Sequence, residues 1–237
     1  MKHYVFSELI IFENDNYIAI NKPPFISTLD ERVHAQNIKS MAKSYCSLAQ
    51  LCHRLDKETS GVLVIAKHND AYKNLAKQFE NRTVYKEYHA VAEGVHQFTD
   101  VNVYLPVHAL PNGTVKIDTV NGKIAETFFN TLQTFRYHTL VKCNPITGRM
   151  HQIRVHMACL KAPIVGDTQY GGKLLYLSQL KKNYNLKKNT EELPVIQRVA
   201  LHARTISFSD MDEKPLIIEA PYPKDFAVLL KQLEKYN

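Results

Sequence analysis

One short stretch constrains this chain more than any other. Gly61-Val62-Leu63-Val64-Ile65-Ala66 is an unbroken apolar run in which Val62, Val64 and Ile65 are β-branched. Such a run, bounded by polar residues, fits a buried strand. Directly before it stands the densest polar cluster of the sequence, His53-Arg54-Leu55-Asp56-Lys57-Glu58-Thr59-Ser60. A loop held at the end of a buried strand is a rigid mount for chemistry. A carboxylate beside a guanidinium stays ionised there, because the opposite charge favours the charged form. It can then act as nucleophile, base or electrostatic partner. The same residues also suit a turn network, with Thr59 and Ser60 bonding backbone amides and Asp56 in a structural ion pair.

Other elements follow from periodicity. Leu9–Phe12 and Tyr17–Ile20 read as a hairpin around Glu13-Asn14-Asp15-Asn16, ended by Lys22-Pro23-Pro24. Arg32 to Leu48 is loosely helical, with Val33, Ile38, Met41, Ala42 and Tyr45 facing inward. After the buried strand, Asn69 fits an N-cap, and Tyr72, Leu75, Ala76 and Phe79 give one apolar helical stripe. Thr83–Glu93, Ala125–Phe129, Tyr137–Cys143, Val199–Phe208 and Leu216–Glu219 read as strands, and Asn112-Gly113 as a hairpin turn. A closing helix carries Phe226, Leu229, Leu230 and Leu233. Many strands with hairpin-length links argue for an α+β fold with an antiparallel or mixed sheet. Residues 177–193, with Lys181-Lys182 and Lys187-Lys188, read as an exposed Lys-rich excursion, either a solvated loop or a basic flap over RNA.

A second polar cluster is Thr147-Gly148-Arg149-Met150-His151-Gln152-Ile153-Arg154-Val155-His156. A helix starting near Arg149 buries Ile153, Met157 and Leu160 and leaves Arg154 at the margin of the apolar face. From there a guanidinium can reach a carboxylate bidentately. The plainer reading is a surface helix with scattered positive charge. Tyr88 sits centrally in its strand and suits either core filling or a platform for a stacked base.

Several chemistries are disfavoured. His151 and His156 are five apart, about 140° around a helix, and there is no HExxH or CxxC, so no metal site is expected. Walker, dinucleotide and GxSxG patterns are missing as well. Of the 237 residues, 45% are apolar and 22% charged, an ordinary globular balance with room for a sizeable core. The net charge of +7 suits a nucleic-acid partner. No apolar run approaches a membrane span, and no long helix pairs an apolar face with a dense basic one. Cys46, Cys52, Cys143 and Cys159 form no framework, and the first residues show no signal-peptide core, so reduced thiols and a cytoplasmic location are expected.

The stretch His53–Gly61 resembles the HRLDxxTSG signature of the RluA-type pseudouridine synthases of ribosomal large-subunit and transfer RNA. Asn21-Lys22-Pro23, Lys86-Glu87-Tyr88-His89-Ala90, Gly148–His156, Pro163–Asp167 with Tyr170-Gly171, and Leu201-His202-Ala203 resemble that family's other motifs, in the same order. Together they span roughly Ile10 to Phe226. The chain departs from the family pattern at Lys161, where a glycine usually stands after the helix.

The resemblance implies an α+β fold with a mixed, largely antiparallel central sheet in two halves around an RNA-binding cleft. It makes Asp56 the catalytic carboxylate, assigns Arg154 to the ion pair holding it, and gives Tyr88 base stacking and proton handling. Arg54 would help displace the uridine and fill the gap, and Leu201 would pack near the base. His53, Thr59 and Arg149 complete the candidate substrate contacts. No metal or cofactor is implied. The partner is structured RNA, ribosomal or transfer, with no membrane, no obligatory protein partner and a monomeric state expected. With its Asn-Lys-Pro element at residue 21, the chain is expected to be a single catalytic domain over 1–237, without the small N-terminal S4-like RNA-binding domain of some relatives. A non-catalytic RNA-binding or ribosome-assembly protein on the same scaffold is the competing reading. Retention of both Asp56 and Arg154 speaks for the enzyme.

Overall fold

A computed structural model describes residues 4–29, 36–186 and 190–237. In chain order the elements are α1 (Phe6–Leu9), β1 (Ile10–Glu13), β2 (Tyr17–Lys22), α2 (Ile38–Tyr45), β3 (Gln50–Leu51), β4 (Ser60–Ala66), α3 (Asn69–Glu80) and β5 (Tyr85–Glu93). Then come β6 (Val101–Tyr104), β7 (Val107–Ala109), β8 (Val115–Ile117), β9 (Glu126–Thr134), β10 (His138–Pro145), α4 (Gln152–Cys159), a 3-10 turn (Thr168–Tyr170) and α5 (Leu177–Leu180). The chain closes with β11 (Leu201–Ser209), β12 (Pro215–Glu219) and α6 (Lys224–Lys235). Two compact units result. The first takes the chain up to Glu87 with His202–Pro221, the second Tyr88–Leu201 with Tyr222–Asn237.

In the first unit β4 is the central strand, and all seven of its residues are buried. It pairs antiparallel with β2 and β3 and parallel with β11, while β12 lies antiparallel on β11. The expected hairpin is β1–β2, preceded by the unanticipated α1. Asn14 makes its turn, its side-chain oxygen accepting the amides of Asn16 and Tyr17. Helix α2 starts at an Asn37–Ser40 capping box. It buries Ile38 and Ala42, but Tyr45 faces out and donates to Glu13. Val33 lies outside the described residues. Helix α3 is capped by the His68 imidazole, not by Asn69, and its buried stripe is Ala71 and Leu75 with Tyr72, Ala76 and Phe79 at the margins. Histidine can cap because a neutral ring nitrogen accepts an amide as a carboxamide oxygen does.

In the second unit β5, β10, β9 and β6 form an antiparallel sheet. The β7–β8 hairpin turns at Asn112-Gly113 as expected. Phe129, Val141, Ile153, Met157, Ile164, Phe226 and Leu229 lie in one core. Arg198 is fully buried there, its guanidinium gripping the Asp225 carboxylate and the carbonyls of Val199 and Leu201. Burial works to raise the Asp225 carboxyl, but the Arg198 bonds and charge outweigh it and hold it below its usual range. The α+β class and the mixed, largely antiparallel sheet are as the sequence implied. Of the Lys-rich excursion, α5 is one short turn and Lys181 and Lys182 are exposed. Lys187 and Lys188 lie outside the described residues.

Helix α4 departs from expectation. It begins at Gln152, three residues late, and every residue from Gln152 to Met157 is buried. Arg154 is therefore buried, not marginal. The cause is polar pairing: with partners supplied to its polar side chains, the helix needs no solvent face.

Candidate active site

The loop before β4 is pinned at both ends. Lys22, at the end of β2, is fully buried and donates to the carbonyls of Pro23, Ile26 and Lys57 at 3.0, 3.0 and 3.2 Å. An ammonium has three donors and tolerates burial only when they are met. Lys22 thereby ties the Asn-Lys-Pro element to the loop. Thr28 holds the other side, its hydroxyl donating to the Leu55 carbonyl at 2.7 Å and accepting the Leu55 amide at 3.2 Å. Leu55 is the buried anchor, Arg54 is exposed, and Asp56 is half-buried. The Asp56 carbonyl accepts the Thr59 amide at 3.1 Å and closes the turn, and Thr59 itself is buried.

Ser60 extends this frame into the sheet. Its hydroxyl bonds His202 Nδ1 at 2.9 Å, and His202 Nε2 lies 3.1 Å from the Ala220 carbonyl. A carbonyl only accepts, so Nε2 is the donor of that bond. His53 is similarly committed. Its Nε2 accepts the Val64 amide at 2.9 Å, standing in for a ladder partner where β3 has ended, and its ring packs on Phe79. Burial, helped by the nearby Lys86 charge, pulls the His53 imidazole down to about 3. Burial also draws Lys86 down to about 8, with Arg82 adding to the effect.

In the second unit Tyr88 lies on β5 opposite Cys143 of β10, half-buried against the core. Its neighbour His89 hydrogen-bonds the Tyr222 hydroxyl through Nδ1. Leu201 is buried in the same core. Arg149 is exposed; its Nε donates to the Ile124 carbonyl at 3.1 Å.

Gln152 organises the start of α4. Its oxygen accepts from the Thr147 hydroxyl and the Arg149 amide, and its nitrogen donates to the Glu126 carbonyl and the Thr127 hydroxyl. Thr127 bonds His156 Nδ1, whose other nitrogen reaches the Leu105 carbonyl. Every polar atom of the Gln152 side chain is thus matched, which fixes the helix rotation. Arg154 then meets Asp167. Nε and Nη2 donate to the two carboxylate oxygens at 2.8 and 2.7 Å, and Nη2 also donates to Gln169 at 3.0 Å. The guanidinium lies over the Tyr170 ring at 4.9 Å. The Tyr170 hydroxyl is itself held by His151 Nδ1 and the Val115 amide at 2.8 Å each.

The first unit therefore gathers His53, Arg54, Asp56 and Thr59 on one braced loop. The second presents Tyr88, Arg149, Arg154 and Leu201. Sequence reasoning gave no role to Lys22, Gln152, Asp167 or Tyr170. All four stand inside quoted motifs, but motif position does not reveal a side chain's partner.

A braced carboxylate loop at the head of a buried strand, on an α+β scaffold, is an enzyme-like arrangement. The scaffold aligns over 97% of its length with the human RNA pseudouridylate synthase domain containing 4, at 26% identity and a TM-score of 0.75, covering 94% of that chain. It also shares its fold with the human RNA pseudouridylate synthase domain containing 1, at 22% identity and a TM-score of 0.69, over 94% of this chain and 87% of that one. Residues 16–159 match the model of the RNA pseudouridylate synthase family. This chain belongs to that family. It is 33% identical to the ribosomal large subunit pseudouridine synthase C of Buchnera aphidicola, over 97% of this chain and 71% of that one. It is 34% identical to the ribosomal large subunit pseudouridine synthase D of Xanthomonas campestris, over 95% of this chain and 69% of that one.

Proposed function

We propose that this protein isomerises uridine to pseudouridine in structured RNA, with Asp56 as the reacting carboxylate. The observation that carries the reading is the Asp56 loop itself, braced by Lys22, Thr28 and the Ser60–His202 pair in a member of this family. The reaction breaks the bond from C1′ to N1, turns the uracil, and forms a bond from C1′ to C5. The C5 proton leaves and N1 gains one, so there is no net oxidation and no cofactor is required by the balance. Asp56 either attacks C1′ or takes the C2′ proton to give a glycal. Either route leaves an anionic uracil, which nearby positive groups stabilise, and Arg154 keeps the role of the guanidinium that holds the Asp56 carboxylate ionised. Tyr88 offers a ring for the base and a hydroxyl for proton handling. Arg54, exposed two residues before Asp56, is free of the core and suited to filling a vacated stack. His53, with Nε2 committed to the sheet, serves the loop rather than the RNA.

The names of the relatives favour ribosomal large-subunit RNA over transfer RNA. The test is pseudouridine mapping of ribosomal and transfer RNA from cells with the gene, without it, and with Asp56→Asn. A site lost in both altered strains supports the reading. Product formed by Asp56→Asn ends it, and no lost site in any RNA would favour the non-catalytic RNA-binding alternative.

A further inference from the structure

We infer that Asp167 is a positioning residue, acting through Arg154 to fix the direction in which its guanidinium presents charge to the reaction. The inference rests on the reading of Arg154 given above. A lone arginine on a helix keeps several rotamers, and each loses part of its electrostatic effect to reorientation. Here one four-residue segment removes that freedom. The Asp167 carboxylate meets the guanidinium edge-on through two bonds, which sets the plane and its rotation. Gln169 adds a third bond from the same segment, and the Tyr170 ring closes one face.

The segment is itself rigid. The Asp167 carbonyl accepts the amides of Tyr170 and Gly172 at 3.1 and 2.9 Å, and the Tyr170 hydroxyl is tied to His151 and Val115. Asp167 is 1% exposed and Arg154 8%. Two charges buried this deeply could be replaced by apolar groups without loss of stability, so stability alone is a weak reason for the pair. Fixing a catalytic cation is a stronger one, since a small misplacement of a reacting group lowers rate by about 100-fold.

The test uses full-length Asp167→Asn, Gln169→Ala, Arg154→Ala, Arg154→Lys and the Arg154→Lys/Asp167→Asn double variant. Single-turnover pseudouridine formation and RNA affinity are measured on each, with thermal melts alongside. Asp167→Asn should slow turnover by on the order of 100-fold with RNA affinity nearly unchanged. In the Arg154→Lys background the same change should cost far less, because lysine cannot use a bidentate partner. An Asp167→Asn rate near wild type beside an inactive Arg154→Ala overturns the positioning role and leaves Arg154 in the site. Full additivity in the double variant also overturns it, because independent effects mean that Asp167 does not act through Arg154. Wild-type turnover by Arg154→Ala removes Arg154 from the reaction and the inference with it. Should Asp167→Asn fail to fold, exposed Gln169→Ala decides: slower turnover with unaltered affinity and melting supports the role, and unaltered turnover overturns it.

Discussion

At Gly61 the backbone has φ +117°, a conformation that side-chain-bearing residues rarely adopt. A Cβ built there would sit 2.1 Å from the Ala203 carbonyl oxygen. Glycine is therefore required twice over, by dihedral and by the close approach of β11. Gly61→Ala should destabilise the protein by about 2–5 kcal/mol, combining left-handed strain with overpacking. Because Gly61 directly follows the loop that Lys22 and Thr28 brace, turnover should fall with it. A thermal melt matching the wild type would refute this. The glycine was legible in the signature; the reason for it was not, since nothing local reveals that residue 203 comes so close. The same holds for His53, read as a substrate contact from its place in the motif. Its bond to the Val64 amide depends on β3 stopping two residues earlier, which no periodicity foretells.

Helix α4 ends in a way that makes Lys161 informative. The Lys161 amide reaches the Ala158 carbonyl at 3.0 Å and the Ala162 amide reaches Met157 at 3.0 Å, the paired bonds of a Schellman cap. Lys161 sits at the left-handed position with φ +56°. The departure from the family's glycine thus leaves the cap geometry in place and charges its strain to one side chain. Lys161→Gly should stabilise the protein by about 1 kcal/mol, a rise of roughly 2–4 °C in melting temperature for a chain of this size. A melting temperature that falls instead would show that the lysine side chain contributes more than the strain it carries. Apolar periodicity located this helix but misjudged its start and its surroundings. The left-handed His151 and the Gln152 network set the first turn, and a network of threonines and histidines buries the polar face that periodicity assigns to water.

For the molecule as a whole, three imidazoles respond to pH in the same direction. Burial lowers His53 to about 3 from 6.5, and it also lowers His138 and His156. Each binds its proton less readily folded than unfolded, so the stability is present above about pH 6.5 and is lost as pH falls toward the folded values. The melting temperature should drop between about pH 7 and about pH 5, and His53→Gln should shrink that drop while its side-chain oxygen keeps the Val64 amide satisfied. An equal drop in wild type and variant would exclude His53 as a contributor. The run Gly61–Ala66, the alternation of the strands and the stripe of α6 follow from the sequence alone, because burial of apolar area is recorded in local spacing. The motifs likewise carried the family and the candidate carboxylate. What only the tertiary structure decided is the set of polar partnerships: Arg154 with Asp167, Lys22 with three carbonyls, Ser60 with His202, Arg198 with Asp225. A buried polar group must find a partner, but which partner depends on how distant segments pack, and that information is absent from any short window of the chain.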